Sequence, residues 1–369
     1  MLASAIRRSG YAPIVLDQFG DVDMTAIAKS VEVCPHSRFA EVAGGRAVQL
    51  PSMPWMYGGG VENEPDLVTR ISAVHRLIGI SADRLRLIRD PATLFASLRR
   101  SDMPIPRRFD PDDAPGASCP LIVKPIRSAG GLGVRLYRSG EIIDPHIEQI
   151  QEFLEGPAVG ALYLSDDRGC ELVGITRQTS GGRSAPGPFV YQGTHGPWRV
   201  PSDAMGVFRK AGEVLRGEFE LRGLFGADFV RVEGLPHLIE VNPRPTASTE
   251  VLELATGRPL VDEHLACFDL GRRRLPTLPL GFAAKRIVYA NTDLTVPLDW
   301  DWNCRNNPQA VHPTLVDLPR PGSTIRKGEP VLTLLASGPN RESCLRSLAE
   351  RRDRTVEMLA KWAIRRSTL

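Results

Sequence analysis

Short apolar runs alternate with amphipathic stretches along this chain, and the alternation predicts a mixed α/β protein. Residues 2–9 have a helical pattern that stops at Gly10, and the apolar run 12–17 ends in an acid, as strands of α/β units often do. The chain therefore starts on a helix, although a parallel sheet normally begins with the strand that feeds that helix. We expect the first domain either to begin upstream of residue 1 or to lack its first strand.

Three blocks follow from the rest of the pattern. Helices are predicted at 65–77, from residue 91, and at 203–221, and a glycine-rich turn lies at 58–60. Three arginines at 272–274, with prolines at 276 and 279, indicate a linker. We predict domains at 1–88, 89–272 and 273–369, the last one β-rich with a final basic helix.

An acidic hairpin at 225–242 is the most informative segment. Residues 225–232 form a predicted strand, 233–236 a turn and 237–242 the returning strand. A turn centred on Gly234 places Asp228 directly across from Glu240, with Asn242 two residues further along the same face. Two carboxylates at about 5 Å repel by roughly 3 kcal/mol at an effective dielectric near 20, so the pair needs a neutralising partner.

A divalent hard cation suits this pair, because Asp, Glu and Asn supply the oxygen ligands that Mg²⁺ prefers. The alternative is an ion pair with Arg231 or Arg244, although strand alternation points Arg231 to the opposite face. The hairpin therefore predicts the metal ligands Asp228, Glu240 and Asn242, with an arginine-neutralised structural hairpin as the competing interpretation.

A glycine-rich loop after an apolar strand suits a polyphosphate. Lys124 lies inside the apolar run 121–125, and Ser128, Gly130, Gly131 and Gly133 follow it. Such a loop exposes backbone N–H groups to phosphates, and the lysine adds a point charge. Neither GxxxxGK[ST] nor GxGxxG is present, so a glycine hairpin with an incidental lysine is the alternative.

A third segment suits the adenine base, and it consists of Gln151, Glu152, Phe153 and Leu154 ahead of a Gly-Pro pair. Backbone groups there can read a base edge while apolar side chains cover its face. A plain strand end explains the same residues equally well.

These three segments, in this order within residues 89–270, resemble the ATP-grasp superfamily, and the hairpin resembles the form found in biotin carboxylase and carbamoyl phosphate synthetase. The resemblance implies an α/β fold with a pre-ATP-grasp domain, a two-subdomain ATP-grasp fold and a small β-rich appendage. It implies ATP and Mg²⁺ or Mn²⁺ as cofactors, the metal held by Asp228, Glu240 and Asn242. It also implies catalytic roles for Arg244 and Lys124, and ATP binding by Arg89, Lys124, Ser128, Gly130, Gly131, Gly133, Gln151, Glu152, Phe153 and Leu154. Substrate contacts are expected from Arg177, Gln178 and His195, the last of which is otherwise a surface-loop histidine.

The implied activity is that of a ligase which activates a carboxylate as an acyl phosphate and couples it to an amine. The segments at 58–63, 89–91 and 242–248 are most similar to carboxylate–amine ligases of the tyramine–glutamate ligase type, a group associated with one-carbon cofactors of the methanofuran and tetrahydromethanopterin kind. A bicarbonate-activating carboxylase and a non-catalytic nucleotide-binding module are the alternatives. The second gains support from Pro91 and Ala158, which replace a lysine and an acid usual in the family.

The composition of the chain limits the classes of binding partner. Lys and Arg total 46 against 43 Asp and Glu, so no overall field recruits nucleic acid or an anionic membrane. The six cysteines form no CxxC pair, which is typical of reduced thiols in the cytosol, and no apolar run of about 18 residues is present. We expect a cytoplasmic enzyme with small-molecule carboxylate and amine substrates, and, from the resemblance, a homodimer.

Overall fold

The computed structural model describes residues 2–111, 119–182, 185–271, 275–302 and 313–366. Within these ranges helices α1 to α10 span, in order, Leu2–Arg8, Val22–Ile27, Phe39–Ala47, Pro65–Ser72, Ala82–Ile88, Pro91–Arg100, Ser202–Phe219, Ala247–Thr256, Leu260–Ala266 and Arg341–Arg366. Strands β1 to β18 span Ile14–Asp17, Ser30–Val33, Pro54–Trp55, Arg76–Leu77, Arg108–Phe109, Leu121–Pro125, Arg135–Leu136, Glu148–Glu152, Ala158–Asp166, Gly169–Ser180, Tyr191–Gly196, Gly223–Val232, Leu235–Asn242, Phe282–Tyr289, Leu294–Thr295, Leu315–Val316, Thr324–Ile325 and Pro330–Gly338. None of the helices in these ranges has the length and apolar character that crossing a membrane requires.

The main sheet has eight strands in the order β13-β12-β9-β10-β11-β14-β18-β16, with antiparallel neighbours. Consecutive residues of β9 are buried on opposite faces of the sheet: Tyr163 packs with Phe208 of α7, and Leu162 packs with Leu252 of α8. After residue 281, strands β14, β18 and β16 join this sheet through the pairing of β14 with β11, and β15 and β17 form a separate pair. The predicted β-rich C-terminal block therefore extends the sheet of the middle block.

A smaller sheet, β5-β8-β6-β7, carries the predicted lysine. Leu121, Val123 and Ile150 form its own small core on one face. Lys124 pairs across the ladder with Gln149 on the other face. Alternation along β6 therefore turns the lysine away from this core.

The first block contains two separate parallel pairs, β1 with β2 and β3 with β4. Helix α4 ends at Ser72, short of the predicted residue 77, because Arg76 and Leu77 form β4. An apolar cavity of about 390 Å³ is lined by residues of both β1 and β3, and in the described part of the chain no strand joins the two pairs.

Candidate active site

The two acids of the hairpin face each other because of a β-bulge. The turn contains only Glu233 and Gly234, so the predicted four-residue turn is wrong. Phe229 pairs with Leu238, and a regular ladder would then set Asp228 opposite Ile239. Ile239 is instead left unpaired, and Asp228 pairs with Glu240. The predicted pairing of the acids is confirmed, and the bulge is its structural cause.

Asp228 is half-buried, and the groups that hydrogen-bond to its carboxylate are amides rather than cations. Its Oδ1 accepts from Gln178 Nε2 at 2.6 Å, and its Oδ2 accepts from Asn242 Nδ2 at 2.9 Å. Burial, reinforced by the charge of Glu240, raises the pKa of Asp228 to about 7. A Cβ at Gly160 would approach Gln178 Nε2 to 2.8 Å, so glycine on the neighbouring strand leaves room for this amide.

Neither predicted arginine neutralises the acid pair. Arg231 donates to the carbonyl of Gly234 at 3.3 Å, and Arg244 pairs with Glu62. The cation beside Glu240 is Arg89, with Nη1 at 3.6 Å from Oε1 and side-chain exposures of 15% for Arg89 and 37% for Glu240. Pro91 starts α6 two residues after Arg89, and the replacement of the usual lysine by Arg89 stays a prediction.

Lys124 also faces the pair. Burial lowers the pKa of Lys124, while the charges of Glu240 and Asp228 oppose that shift. The described residues contain no group of three or more His, Cys, Asp or Glu side chains arranged to hold a metal ion. Two carboxylates and the Asn242 oxygen nevertheless fit a hard cation whose other ligands are water and phosphate oxygens. The raised pKa of Asp228 is the observation that favours this fit, because a bound cation would stabilise the ionised carboxylate.

Arg244 is held by an ion pair with Glu62 of the first block, a contact that the sequence did not reveal. Its Nε donates to Glu62 Oε1 at 2.8 Å, and the two side chains are only 12% and 1% exposed. A Cβ at Gly59 would lie 3.2 Å from Arg244 Nη2, so the glycine turn lets backbone approach the guanidinium. The glycine-rich turn was a visible signal, but its partner lies 182 residues away along the chain.

The glycine loop is held by hydrogen bonds at two points, Ser128 and Gly130. Arg89 Nη2 donates to the carbonyl of Ser128 at 3.1 Å and to Asn63 Oδ1 at 2.6 Å. The N–H of Tyr191 donates to the carbonyl of Gly130 at 2.8 Å. Gly130, Gly131 and Gly133 have φ values of 63°, 74° and 75°, a region that favours glycine. The loop therefore lies closed against β11.

The predicted adenine segment is only partly free to bind. Gln151 lies on the Lys124 face of β8 and donates to Gln149 Oε1 at 2.9 Å. The Glu152 side chain pairs with Arg107 at 3.3 Å. The amides of Glu152 and Phe153 already donate to carbonyl oxygens, each at 2.9 Å. These two amides cannot read a base edge in this conformation, whereas Leu154 follows them beyond the end of the strand. Its role stays a prediction.

Two of the three predicted substrate residues lie elsewhere. Gln178 reaches Asp228, whereas Arg177 and His195 are cross-strand partners whose side chains lie on the opposite face of the sheet. The reason is that successive side chains of a strand point to opposite faces. Arg177 and His195 both pack against Trp198, and burial lowers the pKa of His195 to about 4. His195 is half-buried on β11 and does not lie in a surface loop, and its contact with a substrate stays a prediction.

Residues 88–248 match the family model of the ATP-grasp domain. Among curated proteins, an uncharacterised protein of Methanocaldococcus jannaschii is 25% identical over 237 residues, which cover 62% of this chain and 54% of that protein. The carbamoyl phosphate synthase large chain of Thermus thermophilus is 24% identical over 243 residues, 58% of this chain and 23% of that one. The chain thus spans about half or less of these relatives.

Solved structures show the same architecture. The biotin carboxylase domain of Hydrogenobacter thermophilus 2-oxoglutarate carboxylase, a dimer in complex with MgADP, ADP and bicarbonate, has a TM-score of 0.68 at 14% identity, covering 92% of this chain and 83% of that chain. Campylobacter jejuni biotin carboxylase has a TM-score of 0.66 at 13% identity, with 93% and 85% covered. The fold is therefore the one expected from the sequence, mixed α and β with a large antiparallel sheet.

Proposed function

We propose that the ATP-grasp domain of residues 88–248 makes this chain an ATP-dependent ligase that activates a substrate carboxylate as an acyl phosphate and joins it to an amine. The observation that carries the proposal is the facing pair Asp228 and Glu240, set toward Lys124 and beside Arg244. The names of the relatives, carbamoyl phosphate synthase and biotin carboxylase, support ATP-dependent activation of a carboxylate-like group.

The nucleotide would bind between Lys124 of the smaller sheet and the acid pair of the main sheet. Lys124 supplies positive charge to the phosphates, and the glycine loop covers them with backbone N–H groups. Asp228, Glu240 and the Asn242 oxygen would hold Mg²⁺, which when bound offsets negative charge on the phosphates. Asn242 Oδ1 accepts from Arg244 Nη2 at 3.3 Å, and the second lone pair of this oxygen would serve the metal.

The carboxylate would attack the γ-phosphorus as ADP leaves, and the amine would then attack the acyl carbon as inorganic phosphate leaves. Arg244 is placed to bind the phosphoryl group through its guanidinium fork, which lysine could not imitate. The closed glycine loop serves to exclude water, since an acyl phosphate hydrolyses readily. Gln178 is the predicted substrate residue that remains beside this centre.

Substrate identity is a finer proposal. The amine and acid of a one-carbon cofactor pathway, like those of the tyramine–glutamate ligase type, follow from the sequence resemblance alone. The homodimer likewise stays a prediction, and the dimer named for the Hydrogenobacter thermophilus domain supports it.

The test is a screen for ADP release from ATP and Mg²⁺ across a panel of carboxylic acids and amines. We expect release that requires one acid and one amine together, stops with EDTA, and falls at least about 100-fold in Glu240→Ala and Arg244→Ala with the fold retained by circular dichroism. Release that requires bicarbonate alone would instead select the carboxylase alternative, which the bicarbonate named in a structural neighbour supports. Tight ATP binding without turnover on any pair would select the nucleotide-binding module.

A further inference from the structure

One turn of the first block holds both arginines of the site. The 3-10 turn Val61–Asn63 carries Glu62, which accepts from Arg244 Nε at 2.8 Å, and Asn63, which accepts from Arg89 Nη2 at 2.6 Å. Asn63 Nδ2 also donates to the carbonyl of Ser128 at 3.4 Å. Consecutive side chains thus reach the acyl-phosphate arginine, the cation beside Glu240 and the glycine loop.

Glu62 is too buried to touch a substrate. Its side chain is 1% exposed, and its Oε2 is buried without a hydrogen-bond partner. Glu62 therefore acts on the site only through Oε1, which holds Arg244. A carboxylate in such a place is retained at a desolvation cost that only its charged partner offsets.

The contact through Nε determines which edge of the guanidinium is free. Glu62 occupies Nε, while Nη1 and Nη2 make only the longer contacts to the Pro245 carbonyl, 3.2 Å, and to Asn242 Oδ1, 3.3 Å. The Nη1–Nη2 edge is the one that can bind two oxygens of a phosphoryl group. Without Glu62 the guanidinium has only these weaker contacts to fix its orientation, and one of them involves a predicted metal ligand.

We propose that Glu62 is a positioning residue that orients Arg244 toward the transferring phosphoryl group, so that the first block is part of the active site. This inference rests on the proposed ligase function. It assigns to the glycine-rich turn a role in orienting a cation, through the close approach of Gly59 to Arg244, in place of direct contact with a ligand.

The experiment compares Glu62→Ala, Glu62→Gln and the matched control Glu64→Ala, an exposed acid two residues along the same loop. A displaced Arg244 is expected to lower kcat about 100-fold in Glu62→Ala, with affinity for MgADP changed less than about twofold. Glu62→Gln keeps an acceptor for Nε and is expected to recover at least about tenfold of that loss. Glu64→Ala is expected to match the wild type.

A double-mutant cycle separates orientation from a general structural role. In an Arg244→Ala background, Glu62→Ala is expected to cause no further loss of the residual rate. An additional loss of similar size, or a Glu62→Ala enzyme as active as Glu64→Ala, overturns the proposal. If Glu62→Ala fails to fold alone, the Glu62→Gln variant and the double variant carry the same comparison.

A measurement that does not depend on turnover separates the proposal for Glu62 from the proposed ligase function. The ¹⁵N NMR signal of Arg244 Nε–H, assigned by its loss in Arg244→Ala, is expected to be protected from solvent exchange in the wild type and to lose protection in Glu62→Ala. An unchanged signal in Glu62→Ala overturns the anchoring contact alone. A wild type that anchors Arg244 but turns over no acid and amine overturns the ligase function, and with it the catalytic purpose of the anchor.

Discussion

Substituting alanine at Gly131 tests whether the glycine loop must close for catalysis. Gly131 has φ 74°, and a Cβ there would overlap the carbonyl oxygen of Phe189. Gly130 offers a matched control, because its φ is 63° but the nearest neighbour of an added Cβ is Tyr191 Cβ at 4.0 Å. Both variants therefore carry the left-handed backbone cost of about 1–2 kcal/mol, and only Gly131→Ala adds the collision.

The collision sets the expected magnitude. Restoring van der Waals distance to Phe189 requires the loop to withdraw by about 1 Å, and a misplacement of about 1 Å costs roughly 100-fold in rate. Because the backbone cost is shared, we expect Gly131→Ala to be at least about tenfold slower than Gly130→Ala in acid- and amine-dependent ADP release. A withdrawn loop also admits water, so the ratio of ADP released to amide formed should rise in Gly131→Ala. Equal rates and equal product ratios in the two variants would refute the inference that this closure matters.

Three further predictions address the metal, a buried ion pair and pH. Asp228→Asn removes the negative charge beside Glu240, so we expect the free energy of unfolding in urea, measured without metal at pH 8, to rise by about 1–2 kcal/mol. In the same variant we expect that Mg²⁺ does not strengthen ADP binding. A lower free energy of unfolding without metal would contradict this prediction. Lys285→Met leaves Glu250, its partner at 2.8 Å with exposures of 10% and 13%, without an ion-pair partner, and it also removes the positive charge that lowers the pKa of Asp317. We expect a loss of about 3–5 kcal/mol, of which Lys285→Met with Glu250→Leu restores the part caused by Glu250. An unchanged unfolding midpoint for the single variant would contradict this. Burial lowers the pKa of His264 from 6.5 to about 4, so the unfolded chain binds the proton at a higher pH than the folded chain, and the contribution of this histidine to stability is full above pH 6.5. Between pH 6.5 and pH 4 the free energy of unfolding should fall by up to about 3 kcal/mol. His264→Gln should show a shallower dependence of stability on pH, and an unchanged dependence would contradict this.

The hairpin shows how far the sequence could predict the site. The spacing of Asp228 and Glu240 correctly predicted that they face each other, but by assuming a longer turn than the structure has. The actual hairpin has a shorter turn, which shifts the register of the strands, and a bulge at Ile239, which shifts it back, so that Asp228 still pairs with Glu240. Turn length and bulge position depend on packing in both faces of the sheet, so no local pattern in the sequence distinguishes the two solutions.

Long-range contacts were the main omission. Glu62 and Arg244 are brought together by the docking of the first block on the main sheet, which neighbouring residues in the sequence do not encode. Arg177 and His195 were misplaced for a local reason, since a strand residue beside Gln178 must point to the other face. The period of two would have excluded Arg177 once Gln178 was set toward Asp228.

The unpaired Ile239 also changes which residues of β13 share a face. Leu238 packs in the core with Phe229, whereas Glu240 faces the cleft, although residues two apart normally point the same way. A hairpin shortened by the loss of Ile239 would close as a regular ladder with both partnerships intact. One residue more at the same point would, in a regular ladder, carry the glutamate past Asp228 to the position opposite Gly226, so the pairing of the two acids tolerates a deletion here better than an insertion.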